Sequence, residues 1–455
     1  MRRREKGCAG AGRAFAAAWL CAVLASLMHA DEIAEIAGDE LAPRPVSCSA
    51  DPSLAVPIPL SAAARSGDRP ARSQLTGDWP ARKSLAESGL TYFGDVTQYY
   101  QGVVAGGVSR RFAYGGRGDY LVDLDSGKLG LWQGGRLDLR GETRLGQDAN
   151  SFDGALAPSN FAMVLPLPGQ NVTALTGVQY TQAISERLSV FAGKLDVLDG
   201  TPESYARGPR LNYFWNAAML SNITRIYLLP SALGTGLTIR DEVEPVFNFY
   251  LLDSHFTPTT SGFSTLGANG VVMYGEYRLR TNWFGLPGHL VPGFLYSTAN
   301  RTALDANPFI LISNFAAGTP APSRSPAWTA TCRFDQVVYA DSANPLRNWT
   351  LNGDFGVSDG SPNPIHWFAN VSLVATGLIR GRENDMFGIG YYHLGVSGLP
   401  VLEALGVGAE NGFEMFYNAA VTPWFHVTPD LQILDPARQQ VATAVLVGIR
   451  ARLSF

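Results

Sequence analysis

The stretch from 135 to 146 reads GRLDLRGETRLG, and charges stand at every second place: Arg136, Asp138, Arg140, Glu142 and Arg144. Leu137, Leu139, Gly141, Thr143 and Leu145 fill the places between. Successive side chains of a β-strand point to opposite faces, so a strand here has one fully charged face and one without charge. A helix would scatter the same charges around its circumference. Two environments suit such a strand. A soluble sheet puts the leucines in a core and the charges in water; a transmembrane barrel puts apolar side chains on lipid and polar ones in a wet lumen.

The pattern returns along the chain. In VVMYGEYRLRTN (271–282), Glu276, Arg278, Arg280 and Asn282 share one parity, opposite Val271, Met273, Tyr277 and Leu279. In SVFAGKLDV (189–197), Lys194 and Asp196 oppose Phe191, Leu195 and Val197; in NWTLNGDFGVS (348–358), Asn352 and Asp354 oppose Trp349, Leu351, Phe355 and Val357. The terminal VATAVLVGIRARLSF (441–455) has an apolar residue at every second place up to Phe455, with Arg450 and Arg452 on the other parity. A soluble protein would expose that aliphatic edge to aggregation. A barrel's closing strand pairs with the first strand and faces lipid, and inward arginines avoid the roughly 2–4 kcal/mol cost of a basic side chain on the lipid face. The pore-lining set read from these rows is Arg136, Asp138, Arg140, Glu142, Arg144, Lys194, Asp196, Glu276, Arg278, Arg280, Asp354, Arg450 and Arg452.

Composition and connections favour the barrel. The chain has 49 glycines, 11% aromatic residues and only 16% charged residues, against roughly 25% charged in a soluble domain. Tight connections at 185–187, 285–288 and near Pro423 and Trp424 contrast with long ones at 147–171, 254–269 and 298–327, as short periplasmic turns contrast with long outer loops. From Leu90 to the end the length suits sixteen tilted strands of ~9–11 residues each, and fourteen or eighteen also fit. About sixteen strands leave an aqueous channel where about eight fill with side chains. The expected fold is an all-β, antiparallel transmembrane β-barrel over 90–455.

Residues 1–30 read as a signal peptide: a basic start (Arg2, Arg3, Arg4, Lys6), an apolar run from Ala14 to Met28 and a cleavage point at Ala30. That run is shorter than the ~20 residues of a membrane anchor. After it no run of eighteen apolar residues remains, which excludes a helical membrane protein. Removing Arg2, Arg3, Arg4, Lys6, Arg13 and Glu5 with this segment takes the net charge from −4 to about −8, a sign that argues against nucleic acid. Residues 31–73 form a Pro/Ala/Ser-rich leader without periodicity. Within 74–89, Asp78 as cap, Pro80 in the first turn and Gly89 as terminator predict a short helix over 80–88. Cys48 and Cys332 survive processing, and two cysteines make no framework.

Several stretches together resemble the carbohydrate-selective outer-membrane porins (OprB-type). LTGDWPARKSLAESG is similar to that family's N-terminal motif at Leu75 to Trp79, Arg82, Leu85 and Gly89, with Pro80 and Ala81 where the family has two glycines. AGKLD (192–196), FGVSDGSPNP (355–364), GRENDMFGIGYY (381–392) and EMFYNAAVTPWFHVTPDLQILDP (414–436) carry the likeness on. The resemblance spans about residues 75–455. It implies a sixteen-stranded pore in the bacterial outer membrane that passes sugars by diffusion. Homotrimers are common among porins of this kind. The terminal strand ending in Phe455 resembles the signal read by the barrel assembly machinery, so that machinery, outer-membrane lipids and small sugars are the expected partners.

Motifs for chemistry are weak. GVSDG (356–360) has the Gly-x-Ser-x-Gly form, yet Pro362 and Pro364 forbid the helix that must follow a nucleophile elbow, so Ser358 reads as a turn residue. No histidine pair has metal-ligand spacing, and HEXXH, cysteine pairs and a phosphate loop are absent; no enzyme activity, metal or cofactor is expected. The mixed signs of the charge rows offer paired donors and acceptors to neutral polyhydroxylated solutes, with bracing of the wall as their other use. Arginines outnumber acids in these rows, which keeps an anion-preferring or general porin as the alternative, with a barrel enzyme behind it. Trp349, Trp367 and Trp424 suit either sugar stacking or the interfacial girdle. Tyr391 and Tyr392 are adjacent, so at most one of them lines the lumen.

Overall fold

The computed structural model describes residues 74–197, 213–242, 244–344 and 347–455. The signal peptide, the leader and Cys48 lie outside the described residues. A short helix, α1 (Pro80–Glu87), opens the described chain. Its N-cap is Trp79, in extended conformation and without a side-chain cap bond; Asp78, the expected cap, instead lies 3.9 Å from the Lys83 ammonium on the surface. Pro80 occupies the first turn as expected. Gly89, with φ +99°, turns the chain into the first strand, a conformation costly for any residue with a Cβ.

Apart from a two-residue ladder between Arg301–Thr302 and Ser323–Arg324, the described residues form sixteen antiparallel strands in one sheet. They are β1 (Leu90–Ala105), β2 (Phe112–Asp125), β3 (Gly135–Gly146), β4 (Val172–Ala183), β5 (Leu188–Leu195), β6 (Ala232–Arg240), β7 (Pro245–Asp253) and β8 (Val271–Tyr277, resumed at Leu279–Trp283). The second half comprises β9 (Leu286–Ser297), β10 (Ala327–Ala340), β11 (Asn348–Ser358), β12 (Trp367–Thr376), β13 (Met386–Gly395), β14 (Glu410–Thr422), β15 (Phe425–Asp435) and β16 (Ala444–Ser454). The two parts of β8 count as one strand because both pair with β9. Each strand pairs with its sequence neighbours, and β16 pairs with β1 from Asp95↔Ser454 to Ala105↔Val445, which closes the cylinder. Closure leaves no open edge. Phe455 continues the ladder by exchanging backbone hydrogen bonds with Gly94 at 2.8 and 3.0 Å.

Up-and-down order sorts the connections by end. The turns at 184–187, 284–285 and 423–424 share the end that holds α1 and Phe455, while the segments 147–171, 213–231, 254–270 and 298–326 share the other. Two short helices, α2 (Ala217–Leu220) and α3 (Pro308–Ala317), lie in these long segments, and α4 (Pro400–Ala404) lies between β13 and β14. The hairpin turn Phe284–Gly285 has φ of 59° and 74°, the primed geometry that matches strand twist.

Burial alternates with strand parity. In β16, Ala444, Leu446, Arg450, Arg452 and Ser454 are buried, whereas Val445, Val447, Ala451 and Leu453 are partly exposed and Ile449 exposed. In β3, Arg140, Glu142 and Arg144 are buried and Leu145 is exposed. The buried parity is the inner one, because segment 213–225 touches β16 at one end and β8 at the other and reaches both only from inside. One row breaks the expected assignment. Phe191 pairs with Gly236, which pairs with Tyr250, which pairs with Tyr274, and Tyr274 shares its face with Glu276. Phe191 therefore points inward and Lys194 belongs to the outer parity, contrary to the reading of 189–197. The Lys194 ammonium is accommodated there because segment 254–262 folds over it: it donates to the carbonyls of Leu175, Pro258 and Thr260 at 2.8–3.0 Å.

Candidate functional site

The interior is built in two shells, a charged wall and the loops laid over it. Inward positions of β1, β2 and β3 are in register, so their charges meet across strands. The Arg117 guanidinium donates to Asp119 at 2.7–3.0 Å and also reaches Glu142. Arg140 lies 2.9 Å from Glu142 and 2.8 Å from Asp196. Arg452 on β16 donates to Asp95 on β1 at 2.8 Å, and the Ser454 hydroxyl donates to the same oxygen. These side chains are at most 6% exposed. A buried ion pair repays its desolvation only with additional hydrogen bonds, and here Arg117 and Arg140 each have more than one carboxylate partner. Arg117 has two more, the carbonyls of Ala162 and Leu165.

The second shell consists of two inward segments. Residues 213–225 run around the inner wall in a belt. The Tyr213 carbonyl accepts from Arg450 on β16, the Ala218 carbonyl from Asn370 on β12, and the Thr224 carbonyl from Thr329 on β10; Asn222 donates to Asp354 on β11, and Arg225 to the Tyr274 hydroxyl on β8. Space for the belt comes from glycines on the inner parity. A Cβ at Gly448 would sit 2.6 Å from the Trp215 ring, and one at Gly390 would sit 2.1 Å from Met219 Cε. Phe214 packs edge-on against Phe416 of β14 with centroids 4.9 Å apart, and the Trp215 ring meets Tyr99 of β1 at 5.4 Å. This apolar docking adds hydrophobic burial to the belt's hydrogen bonds.

Residues 147–171 cover the neighbouring wall. Met163 fills the space over Gly115 of β2, and its carbonyl accepts from Arg144. The two segments also bond to each other: Phe161 N–H donates to the Trp215 carbonyl and Ala217 N–H to the Pro158 carbonyl, both at 2.8 Å. Within the segment, Asp153 is 1% exposed and accepts from the Ser159 hydroxyl at 2.5 Å and the Ala155 N–H at 2.8 Å. Burial pushes its carboxyl up to about 8 despite these donors.

The charges read from the sequence are thus distributed unequally. Arg140, Glu142, Arg144, Asp196, Arg450 and Arg452 are buried between wall and loops. Glu276 accepts from Asn248 and the Tyr274 hydroxyl, and Asp354 from Asn222. Nearer the short-turn end, the Arg136 side chain is 34% exposed and bridges Asp123 at 3.3 Å and Asp138 at 2.6 Å. Arg280, 50% exposed, pairs with Asp241 and, at 3.8 Å, with Glu244; Arg278 lies 3.7 Å from Glu244. Trp349 and Trp367 belong to the outer parity, where they contact Tyr339 and His393, so neither stacks on a solute in the lumen. Of the tyrosine pair, Tyr392 is buried and donates to Glu410, and Tyr391 is exposed.

Ser358 is no nucleophile. It is 1% exposed and its hydroxyl donates to the Ile365 carbonyl at 2.6 Å. What remains is a closed sixteen-stranded cylinder, loops folded into it, and an ion-paired inner wall. A family model described as carbohydrate-selective porin, OprB family, matches residues 109–455. The chain belongs to this family. Among solved structures, this OprB-family chain is similar to the high-pH structure of Pseudomonas putida OprB, at 21% identity and a TM-score of 0.70, covering 84% of this chain and 98% of that one. It is also similar to the low-pH structure of Pseudomonas putida OprB, at 19% identity and a TM-score of 0.52, with the same coverage. No curated protein matches the chain. Membership makes this OprB-family chain an outer-membrane porin for sugars, a passive channel and not an enzyme.

Sequence reasoning did not find the belt. The signal was present in ENGFEMFYN (410–418), where Glu410 and Glu414 share the inner parity while their neighbours in register are Leu394, Gly390 and Gln432. Acids in a wall with no basic partner in register call for donors from elsewhere.

Proposed function

We propose that sugars pass this channel by exchanging hydroxyl hydrogen bonds with the side chains of Arg136, Asp138, Arg278 and Arg280, while the buried members of the charge rows brace the wall. One observation carries the reading: Arg117, Arg140 and Arg452 are each paired with carboxylates, so the wall offers little net field to an ion. A neutral polyol needs donors and acceptors side by side, and Arg136 between Asp123 and Asp138 supplies both. On the outside, the apolar parity meets lipid. The terminal strand with Phe455 is the segment we assign to recognition by the barrel assembly machinery. A homotrimer is supported by the outer face of β1 and β2, where Gln98 accepts from the Tyr114 hydroxyl at 2.6 Å, a polar pair better placed against a second subunit than against acyl chains.

The test is conductance in planar bilayers. Steady current partly blocked by added sugars, with a reversal potential near zero in a salt gradient, is the expected result. A reversal potential near the anion limit replaces this reading with the anion-preferring one.

A further inference from the structure

Resting on the sugar-channel reading, we propose that Glu410 and Glu414 of β14 are the positioning residues that set the size limit of this pore, by fixing both inward loops at one junction on the wall. Each uses its two oxygens on two consecutive backbone N–H groups. Glu410 accepts from Leu156 at 2.6 Å and Ala157 at 3.1 Å, both in the segment 147–171. Glu414 accepts from Trp215 and, at 3.1 Å, from Asn216, both in the belt. Both carboxylates are 0% exposed. They stand four residues apart on one strand and so point to the same side.

Gln432, opposite Glu414 on β15, completes the junction. Its amide nitrogen donates to the Ser159 carbonyl at 2.9 Å, and its oxygen accepts from Asn216 at 3.3 Å. The loops meet here and bond to each other through Phe161 and Trp215 and through Ala217 and Pro158. A loop in a lumen narrows it only while held at a fixed distance from the wall, and these two acids hold both loops by main chain. Main-chain anchoring fixes the loop backbone to the wall directly, beside the side-chain packing of Phe214 and Trp215. An amide at either position keeps shape and volume but turns an NH₂ toward one of the two N–H groups, opposing donor to donor.

The experiment compares Glu410→Gln, Glu414→Gln and the double variant with the natural chain, using the full protein refolded in planar bilayers and polyethylene glycols of graded size as uncharged probes. Heat-modifiable gel mobility first establishes that each barrel is closed. The expected result is that a polymer excluded by the natural channel enters the variants and lowers their conductance, whereas Glu403→Gln, at an exposed position of α4, behaves as the natural chain. If either single variant fails to close, the other is read in its place; if both fail, loop proteolysis of Glu414→Asp, whose shorter side chain loses reach, is read instead. An unchanged exclusion threshold in closed variants, or lowered thermal stability with no change in threshold, overturns the inference; so does unchanged proteolysis in Glu414→Asp. Polymer exclusion does not depend on sugar passage, so a natural channel that conducts ions but rejects sugars refutes the transport reading and leaves this one standing.

Discussion

Gly448→Ala isolates the contact between belt and wall in a single methyl group. The added Cβ would stand 2.6 Å from Trp215 Cζ3 and 2.9 Å from Cη2, where ordinary carbon contacts lie at ~3.5–4.0 Å. The ring must retreat by about 1 Å. Trp215 is 2% exposed, and full ejection of a tryptophan burying ~150–250 Å² would cost about 4–6 kcal/mol. A partial shift with local overpacking costs about 1–3 kcal/mol, so it is the route taken. That range lowers the docked-to-undocked ratio of the belt by roughly five- to 150-fold. The barrel itself should be unharmed, since alanine is tolerated in a strand. Single-channel recording reads the effect as larger and noisier unitary current. Gly275→Ala is the matched control, because the nearest atom to its added Cβ lies 3.8 Å away. If Gly448→Ala records the same current as Gly275→Ala, the glycine does not seat the belt and the reasoning fails.

Three further outcomes are expected. Arg140→Met takes the guanidinium from between the buried carboxylates of Glu142 and Asp196, leaving Glu142 with Arg117, and should destabilise the barrel by about 3–5 kcal/mol; thermal unfolding checks this, and Asp196→Asn added to it should recover part of the loss. Asp153 has its carboxyl raised from 3.8 to about 8, so its neutral form favours the folded loop. That contribution is complete below pH ~4 and is lost as pH rises through ~8. Hydrogen exchange at the Ala155 amide, corrected for intrinsic rate, should therefore accelerate over this window in the natural chain, and a flat profile refutes it; Asp153→Asn should remove the dependence. Trp349 and Trp367 lie on the outer parity and should be quenched by brominated acyl chains, as tested with single-tryptophan variants, while a variant keeping only Trp215 should be shielded.

The parity rows were legible because a strand's side-chain period is local. Once Arg136, Asp138 and Arg140 alternate with leucines, every residue of that strand has its face, whatever the rest of the chain does. The same logic gave Arg450 and Arg452 their inward direction and placed the tight and long connections at opposite ends. It failed at Lys194 because the alternation at 189–197 is ambiguous by composition: Phe191 fits an inner apolar patch with Tyr250 as well as it fits lipid, and a lysine at the rim finds carbonyls from a neighbouring loop. Asp78 failed as a cap for a smaller reason, since Trp79 already occupies the position before Pro80.

By itself, then, the sequence determined a closed antiparallel barrel with one charged and one apolar face, because those properties need only nearest neighbours along the chain. Which charges meet water and which are sealed, and how wide the passage is, were decided by tertiary structure alone. Glu414 is 198 residues from its partner Asn216, and Glu410 is 254 from Leu156. No periodicity connects such residues; they come together only when sixteen strands close and the loops find room over Gly448, Gly390 and Gly115.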